Sequence, residues 1–276
     1  MLVCERRLAE QVAGLGSRQP QLCIPNCAVR LALLLWRALV RTKETPAMAD
    51  LRTESVEFPA NGEIGRGYLA VAQGDEPFPG VIVVQEWWGL DEHIKDVARR
   101  LAAEGFVALA PDLYHGQATK EPGEAQKLMM SLNMGDAVKE LVKATDYLAS
   151  RPEVAGRGIG AIGFCMGGGL ALNLACESSK IRAAAPFYGV NPTPVDTVHN
   201  LNGSLLAIYA ENDAYAGESV RQELEQAVKA ANIDHEIVVY PGAQHAFFND
   251  TRPEVYDREA AVDAWQRVLS HFRQNL

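Results

Sequence analysis

A cysteine at the centre of a glycine-rich turn is the most reactive feature of the sequence. Residues 158–169 read GIGAIGFCMGGG, so Cys165 occupies the middle of a Gly-x-Cys-x-Gly motif. An apolar segment precedes the motif and a helix-like segment, residues 168–176, follows it. This pattern is typical of a nucleophile elbow, in which the central residue is strained and its neighbours must be small. The alternative is a buried structural cysteine in a glycine-rich turn.

A thiol nucleophile needs a base and a group that orients the base. Asp213 follows the apolar segment 205–209, and His245 follows the segment 235–240. The carboxyl ends of parallel strands meet at one edge of a sheet. The order cysteine, acid, histidine is also the order of elbow-type sites. We therefore expect Cys165, Asp213 and His245 to meet at that edge.

Other acids and histidines compete for these roles. Glu211 lies closer to its strand than Asp213 and is expected to point away. The remaining histidines lie on predicted helices, at the start of a strand, or in loops that precede the acid: His93, His115, His199, His235 and His271.

The loop after the third predicted strand, residues 85–89, reads QEWWG. Elbow-type sites take one oxyanion donor from the residue after the nucleophile and a second from such a loop. These donors are here the backbone N–H groups of Met166 and Trp87. The helix that follows Cys165 favours the thiolate, because its N-terminus carries a partial positive charge.

Glu86 is an acid directly after a buried apolar strand, where an unpaired charge is costly. It either forms an ion pair with a nearby arginine such as Arg99 or acts as a second carboxylate beside the nucleophile. The sequence leaves both readings open.

Alternating strands and helices predict an α/β fold with a mostly parallel sheet and helices on both faces. The predicted strands are 55–58, 67–72, 80–85, 106–110, 159–163, 183–187, 205–209 and 235–240. The predicted helices are 91–104, with Asp91 as its N-cap, and 119–132, 136–150, 168–176, 219–231 and 254–272. Residues 48–276 are predicted to form one domain.

The composition narrows the class of protein. The chain has 276 residues, of which 48% are hydrophobic and 22% charged, and a net charge of −9. This charge and the lack of a basic stripe argue against nucleic-acid binding. Five irregularly spaced cysteines do not suggest a disulfide framework, so we expect a cytoplasmic protein.

Residues 1–47 differ from the rest of the chain and are predicted to be a poorly ordered appendage. They contain Cys4, Cys23 and Cys27. The Cys23-x-x-x-Cys27 pair is not followed by a second pair of ligands that would complete a metal site. The apolar run 31–36 is too short to span a bilayer. A membrane-surface anchor is the alternative, although we expect no membrane partner.

Five motifs together resemble the dienelactone hydrolase family of α/β-hydrolases. They are Gln-Glu-x-x-Gly at 85–89, Ala-Pro-Asp-Leu-Tyr at 110–114, Gly-Phe-Cys-Met-Gly-Gly at 163–168, and the loops of Asp213 and His245. The resemblance covers about residues 51–275 and implies the α/β-hydrolase fold with a Cys165–His245–Asp213 triad. It also implies that Glu86 holds the resting thiol in a less reactive state, and that no metal or cofactor takes part.

The resemblance is incomplete where family members bind a substrate carboxylate with two arginines. This chain has Lys120 and Lys127 in place of the first, and Asn249 in place of the second, with Arg252 farther along. Lysine does not clamp a carboxylate as arginine does. The substrate-binding residues are predicted to be Trp88, Tyr114, Lys127 and Arg252.

We therefore expect a hydrolase of carboxylic esters or lactones, of the carboxymethylenebutenolidase type, acting on a small molecule. The alternatives are a general carboxylesterase or thioesterase for uncharged substrates, and a hydrolase-fold protein that binds a ligand without turnover.

Overall fold

The computed structural model describes residues 51–72, 74 and 77–276. The predicted appendage 1–47 and the first residues of the predicted domain 48–276 lie outside the described residues.

The described chain alternates strands and helices. The strands are β1 Leu51–Ala60, β2 Glu63–Ala72, β3 Phe78–Val84, β4 Val107–Pro111, β5 Val154–Phe164, β6 Ile181–Phe187, β7 Ser204–Asn212 and β8 His235–Gln244. The helices are α1 Glu92–Ala103, α2 Pro122–Ser131, α3 Met134–Ala149, α4 Met166–Glu177, α5 Glu218–Ala230 and α6 Arg258–Asn275, with a short 3-10 helix at Val195–Asn200.

The strands form one eight-stranded sheet in the order β1-β2-β4-β3-β5-β6-β7-β8. The β1–β2 and β2–β4 pairs are antiparallel, whereas β4, β3, β5, β6, β7 and β8 are parallel to one another. The predicted, mostly parallel α/β sheet is therefore confirmed. Its parallel part brings the ends of β3, β5, β6, β7 and β8 to one edge.

Each face of the sheet is covered by its own apolar cluster. Strand β5 shows the division, because Ala161 packs on the side of α3, α4 and α5, whereas Ile162 packs on the side of α1 and α6. Neighbouring residues of a strand point to opposite faces, so a strand buried on both faces must be apolar at nearly every position.

Local sequence explains where three helices begin, at the predicted residue in one case and later than predicted in two. Asp91 is the predicted N-cap of α1, and its side chain accepts a hydrogen bond from Ile94 N at 3.1 Å. The last helix begins at Arg258 rather than residue 254, because the side chain of Asp257 accepts from Ala260 N and caps it there. Helix α2 begins at Pro122, a residue favoured in the first turn.

The predicted hairpin turn between β1 and β2 is confirmed. Asn61 and Gly62 both have positive φ, at 47° and 87°. Two such residues are what a two-residue turn between right-twisted strands requires.

None of the helices among the described residues is long and apolar enough to cross a membrane.

The junction of β5 and α4 depends on two glycines with no space for a side chain. A Cβ atom on Gly163 would lie 2.0 Å from the carbonyl oxygen of Gly167, and one on Gly167 would lie 2.2 Å from that of Gln85. Because the obstructing atoms belong to the backbone, they cannot move aside cheaply. These contacts bring the start of α4 against both β5 and the loop after β3.

We expect Gly163→Ala to lower the free energy of unfolding by about 3 kcal/mol, the upper end of the range for overpacking. Urea unfolding followed by circular dichroism measures the change. The matched control is Gly123→Ala in the first turn of α2, where a Cβ meets nothing within 4 Å. Equal unfolding midpoints for the two variants would contradict the close approach of β5 and α4.

Candidate active site

Cys165 lies at the junction between the end of β5 and the start of α4. Its backbone has φ 56° and ψ −120°, a conformation that is strained for any residue with a side chain. The N–H of Cys165 donates to the carbonyl of Phe187 at 3.1 Å, and its own carbonyl accepts from Gly168 N at 3.0 Å. These bonds hold the half-buried thiol at the tip of the turn that the glycine motif predicted.

Asp213 and His245 meet because β7 and β8 are parallel neighbours. Nδ1 of His245 lies 2.8 Å from Oδ2 of Asp213. The other carboxylate oxygen of Asp213 accepts from the backbone N–H groups of Tyr215 and Ala216 at 2.8 and 2.9 Å. The acid is thus fixed by its own loop and in turn orients the imidazole. Glu211, the competing acid, accepts instead from Gly242 N.

The acid and the imidazole shift each other's pKa in the directions expected of a charged pair. Burial alone would raise the pKa of Asp213, but its hydrogen bond to His245 and those from the backbone lower it below its usual value. Burial opposes protonation of His245, yet the hydrogen bond to Asp213 and the interaction with Cys165 raise its pKa to about 10. The imidazole therefore readily holds a second proton.

The remaining ring nitrogen of His245 faces the thiol. Its Nε2 atom is buried and makes no hydrogen bond of normal geometry to any described residue. The sulfur of Cys165 is nevertheless near enough to raise the pKa of the imidazole. The structure thus brings together all three residues predicted to do the chemistry.

The start of α4 and the loop after β3 supply the two predicted oxyanion donors. Met166 is the first residue of α4, and no described residue accepts a hydrogen bond from its N–H or from that of Trp87. The loop of Trp87 is held against α4, because Gly167 approaches the carbonyl of Gln85. Both N–H groups therefore lie in one region, where a backbone donor without a partner can serve a ligand.

Glu86 is buried behind this loop, with an exposed fraction of 2%. Its Oε2 accepts from the Asn249 side chain at 2.8 Å, and its Oε1 has no partner among the described residues. Burial raises the pKa of Glu86, against the opposing effects of His93, Asn249 and His245.

The ion pair between Glu86 and Arg99 is not found. Arg99 pairs with Glu92 and Asp96 and donates to the Tyr68 hydroxyl. The half-buried guanidinium of Arg99 is therefore satisfied by groups other than Glu86.

Three of the four predicted substrate-binding residues belong to or contact the loop after β3 or the start of α4. The guanidinium carbon of Arg252 is 5.7 Å from the ring centre of Trp88. Tyr114 is buried, and its hydroxyl donates to the sulfur of Met166 at 3.5 Å. Burial and the charge of Cys165 raise the pKa of Tyr114 to about 12.

Lys127, the fourth of these residues, is placed differently. Its side chain is 74% exposed and pairs with Glu124 of the same helix at 2.7 Å. No contact of Lys127 with the catalytic residues is seen in the described part of the chain. Its role in substrate binding stays a prediction.

Tyr188 is a residue of the site that sequence reasoning missed. It is buried, its ring centre is 4.9 Å from that of His245, and its hydroxyl has no partner among the described residues. Burial, followed by the charges of Glu86 and Cys165, raises its pKa well above its usual value. Tyr188 directly follows β6, so the rule that functional residues follow parallel strands pointed to it.

Comparison with known proteins agrees with this architecture. The family profile described as Dienelactone hydrolase family matches residues 66–276, and the chain belongs to that family. The chain is 36% identical over 230 residues to "Protein usf" of Aquifex pyrophilus, covering 81% of this chain and 99% of that protein.

Two further relatives carry names that refer to the reaction. "Putative carboxymethylenebutenolidase" of Saccharolobus solfataricus is 34% identical over 260 residues, covering 80% of this chain and 98% of that protein. The crystal structure titled "Putative Dienelactone Hydrolase", from Klebsiella pneumoniae, matches with a TM-score of 0.75 and 34% identity, covering 81% of this chain and 99% of that one. The predicted α/β-hydrolase fold is thereby confirmed.

We expect Asp213→Asn to lower the pKa of His245 from about 10 toward its ordinary value of 6.5, because the hydrogen bond to the carboxylate is the largest influence that raises it. Titration of the imidazole resonances by NMR measures the shift. Glu211→Gln, which removes the competing acid, should leave the titration unchanged. If Glu211→Gln produces the larger shift, the acid has been assigned wrongly.

Proposed function

We propose that this protein hydrolyses a carboxylic ester or lactone through Cys165, His245 and Asp213. The observation that carries the proposal is the strained Cys165 beside an imidazole that Asp213 orients at 2.8 Å. Nucleophile, base and orienting acid are the three parts that covalent acyl transfer requires.

In the first half of the reaction His245 takes the thiol proton, and the sulfur of Cys165 attacks the carbonyl carbon. The N–H groups of Met166 and Trp87 stabilise the oxyanion. The C–O bond then breaks, and the leaving alkoxide takes the proton from His245. In the second half His245 takes a proton from water, which attacks the thioester. The C–S bond then breaks, the acid is released, and the sulfur of Cys165 recovers its proton from His245. The pKa of about 10 favours the form in which His245 holds the transferred proton.

The substrate is proposed to be uncharged near the reacting carbonyl. Asn249, at the position of a carboxylate-binding arginine in family members, bonds to Glu86 instead. Arg252 is the predicted cation that remains at the rim, where its guanidinium lies over Trp88 and pairs with Glu254. An apolar ester or lactone fits the two tryptophans, whose ring centres are 4.8 Å apart.

We expect the protein to hydrolyse a p-nitrophenyl ester and to act on a dienelactone with a higher KM, because the paired arginines are missing. Cys165→Ala should lower kcat for both substrates by at least about 10³-fold, as loss of a nucleophile does elsewhere. Steady-state kinetics on the full chain measures both effects.

The matched control is Cys176→Ala, which alters the buried cysteine at the far end of α4. It should retain hydrolysis, and iodoacetamide should inactivate this variant and the natural protein alike. Peptide mapping by mass spectrometry identifies the alkylated cysteine. Full activity of Cys165→Ala would exclude the proposed nucleophile, and no turnover of any ester or lactone would favour a ligand-binding protein.

Glu86 is proposed to restrain the resting thiol. Its carboxyl is buried and one of its oxygens has no partner among the described residues. The charges of Glu86 and Cys165 both raise the pKa of Tyr188, so both groups lie near the Tyr188 hydroxyl. A protonated carboxyl in this position can donate a hydrogen bond to sulfur and reduce its nucleophilicity. Binding of substrate would displace the sulfur toward His245.

We expect Glu86→Ala to accelerate alkylation of Cys165 by iodoacetamide by severalfold, because the thiol loses its restraint. The rate is measured at neutral pH by mass spectrometry of the Cys165 peptide. Glu211→Ala removes an exposed acid at the same edge of the sheet and should not change the rate. An equal or slower rate in Glu86→Ala would show that this carboxyl does not restrain the thiol.

A further inference from the structure

A cavity of about 470 Å³ lies beside the active site, at the antiparallel end of the sheet. It is bounded by the hairpin turn at residues 60–65, the loop at 113–117 and the helical region at 128–140. The side chain of Asn61 donates to the carbonyl of Asp136 at 2.9 Å and joins the hairpin to α3 at the rim. The walls are thus tied together by contacts of the fold itself.

Carboxylates predominate among the charged groups that line this cavity. Its lining contains the carboxylates of Glu63, Asp136 and Glu140 and the imidazole of His115, and none of its described residues is lysine or arginine. Asp136 is compensated by Lys139, 2.8 Å away. The other two carboxylates leave the cavity negative, which favours a cationic ligand.

Glu140 is the buried member of the group, with an exposed fraction of only 6%. Its Oε2 lies 3.7 Å from Nε2 of His115, too far for a hydrogen bond, and its Oε1 has no partner among the described residues. A buried carboxylate oxygen without a hydrogen bond is costly, so such a group calls for a ligand or a role.

Burial raises the pKa of Glu140. His115 opposes this effect, while Asp112 and Glu63 add to it by charge repulsion. A cation placed among these groups would relieve the repulsion and stabilise the ionised carboxylate.

The lining of the cavity also contains apolar side chains. They include Leu113, Tyr114, Leu128 and Leu132. The described residues contain no group of three metal-ligating side chains placed to hold a metal ion. The chemistry therefore suits an organic cation with an apolar body rather than a bare metal ion.

We propose that this cavity binds a small organic cation, with an amidinium, guanidinium or ammonium group on Glu140 and an apolar body against Leu128 and Leu132. A planar amidinium or guanidinium can donate two hydrogen bonds to one carboxylate. This site is separate from the catalytic residues and does not rest on the proposed hydrolysis. Tyr114 lies between the two, since it lines the cavity and touches Met166.

Benzamidine, benzamide and benzoate are three probes of one shape with positive, zero and negative charge. We expect benzamidine alone to shift the backbone NMR resonances of His115 and Leu132 in a saturable way at pH 8. Glu140→Gln should weaken this binding about tenfold or more, as expected for a lost charge-assisted hydrogen bond. Cys165→Ala should bind benzamidine as the natural protein does, so a failure of the catalytic proposal would be seen separately.

A second pair of variants leaves Glu140 in place. Ser131 and Ser150 each end a helix and donate to the carbonyl three residues earlier, but only Ser131 lines the cavity. Ser131→Lys should weaken benzamidine binding by charge repulsion, and Ser150→Lys should not.

Equal binding of benzamide and benzamidine would overturn the proposal. So would equal weakening by the two lysine variants, shifts confined to the surroundings of Cys165, or an absence of saturable binding.

Discussion

The backbone contact between Gly163 and Gly167 is the constraint on which the site depends. The carbonyl oxygen of Gly167 occupies the place where a side chain of Gly163 would begin, 2.0 Å from an ideal Cβ. Only because strand and helix pass this closely can Cys165 protrude at positive φ between them. The same approach places the start of α4 against the loop after β3 and so brings the backbone N–H groups of Met166 and Trp87 into one region.

A second consequence of close packing is the burial of polar groups without full hydrogen bonding. The buried set includes Glu86 Oε1, the Tyr188 hydroxyl and His245 Nε2, none of which has a partner among the described residues. Such groups normally destabilise a fold, and they persist where chemistry uses them. The pKa values of the imidazole of His245 and of the buried carboxyl of Glu86 are both raised.

Charge divides the surroundings of the thiol into two parts. On the side of β8 lies Arg252, stacked on Trp88. On the side of β1 and β2 lies the negative cavity of Glu140 and Glu63. Tyr114 contacts both regions, since its ring lines the cavity and its hydroxyl reaches Met166. The family fold thus carries here a different distribution of charge from one built to clamp an anionic substrate.

Much of the arrangement follows from local sequence. Apolar strands, the glycine spacing around Cys165 and the order of cysteine, acid and histidine are properties of short segments. They therefore predicted the sheet, the turn at Cys165 and the positions of Asp213 and His245 after neighbouring strands. The Asn61-Gly62 turn and the Asp91 cap are local for the same reason. The start of the last helix was placed wrongly, because Asp257 is a better N-cap than the residues before it and the apolar pattern alone does not reveal this.

The tertiary structure decided what depends on residues distant in the chain. The partner of Glu86 is Asn249, on a loop 163 positions away, and not Arg99, which pairs with Glu92 and Asp96. The proximity of Tyr188 to His245 and the acidic cavity around Glu140 likewise arise from elements that meet only in the folded sheet. Sequence determined which groups stand at the ends of the strands. Only the packing of the strands determined which of those groups touch, because strand order in the sheet differs from strand order in the chain.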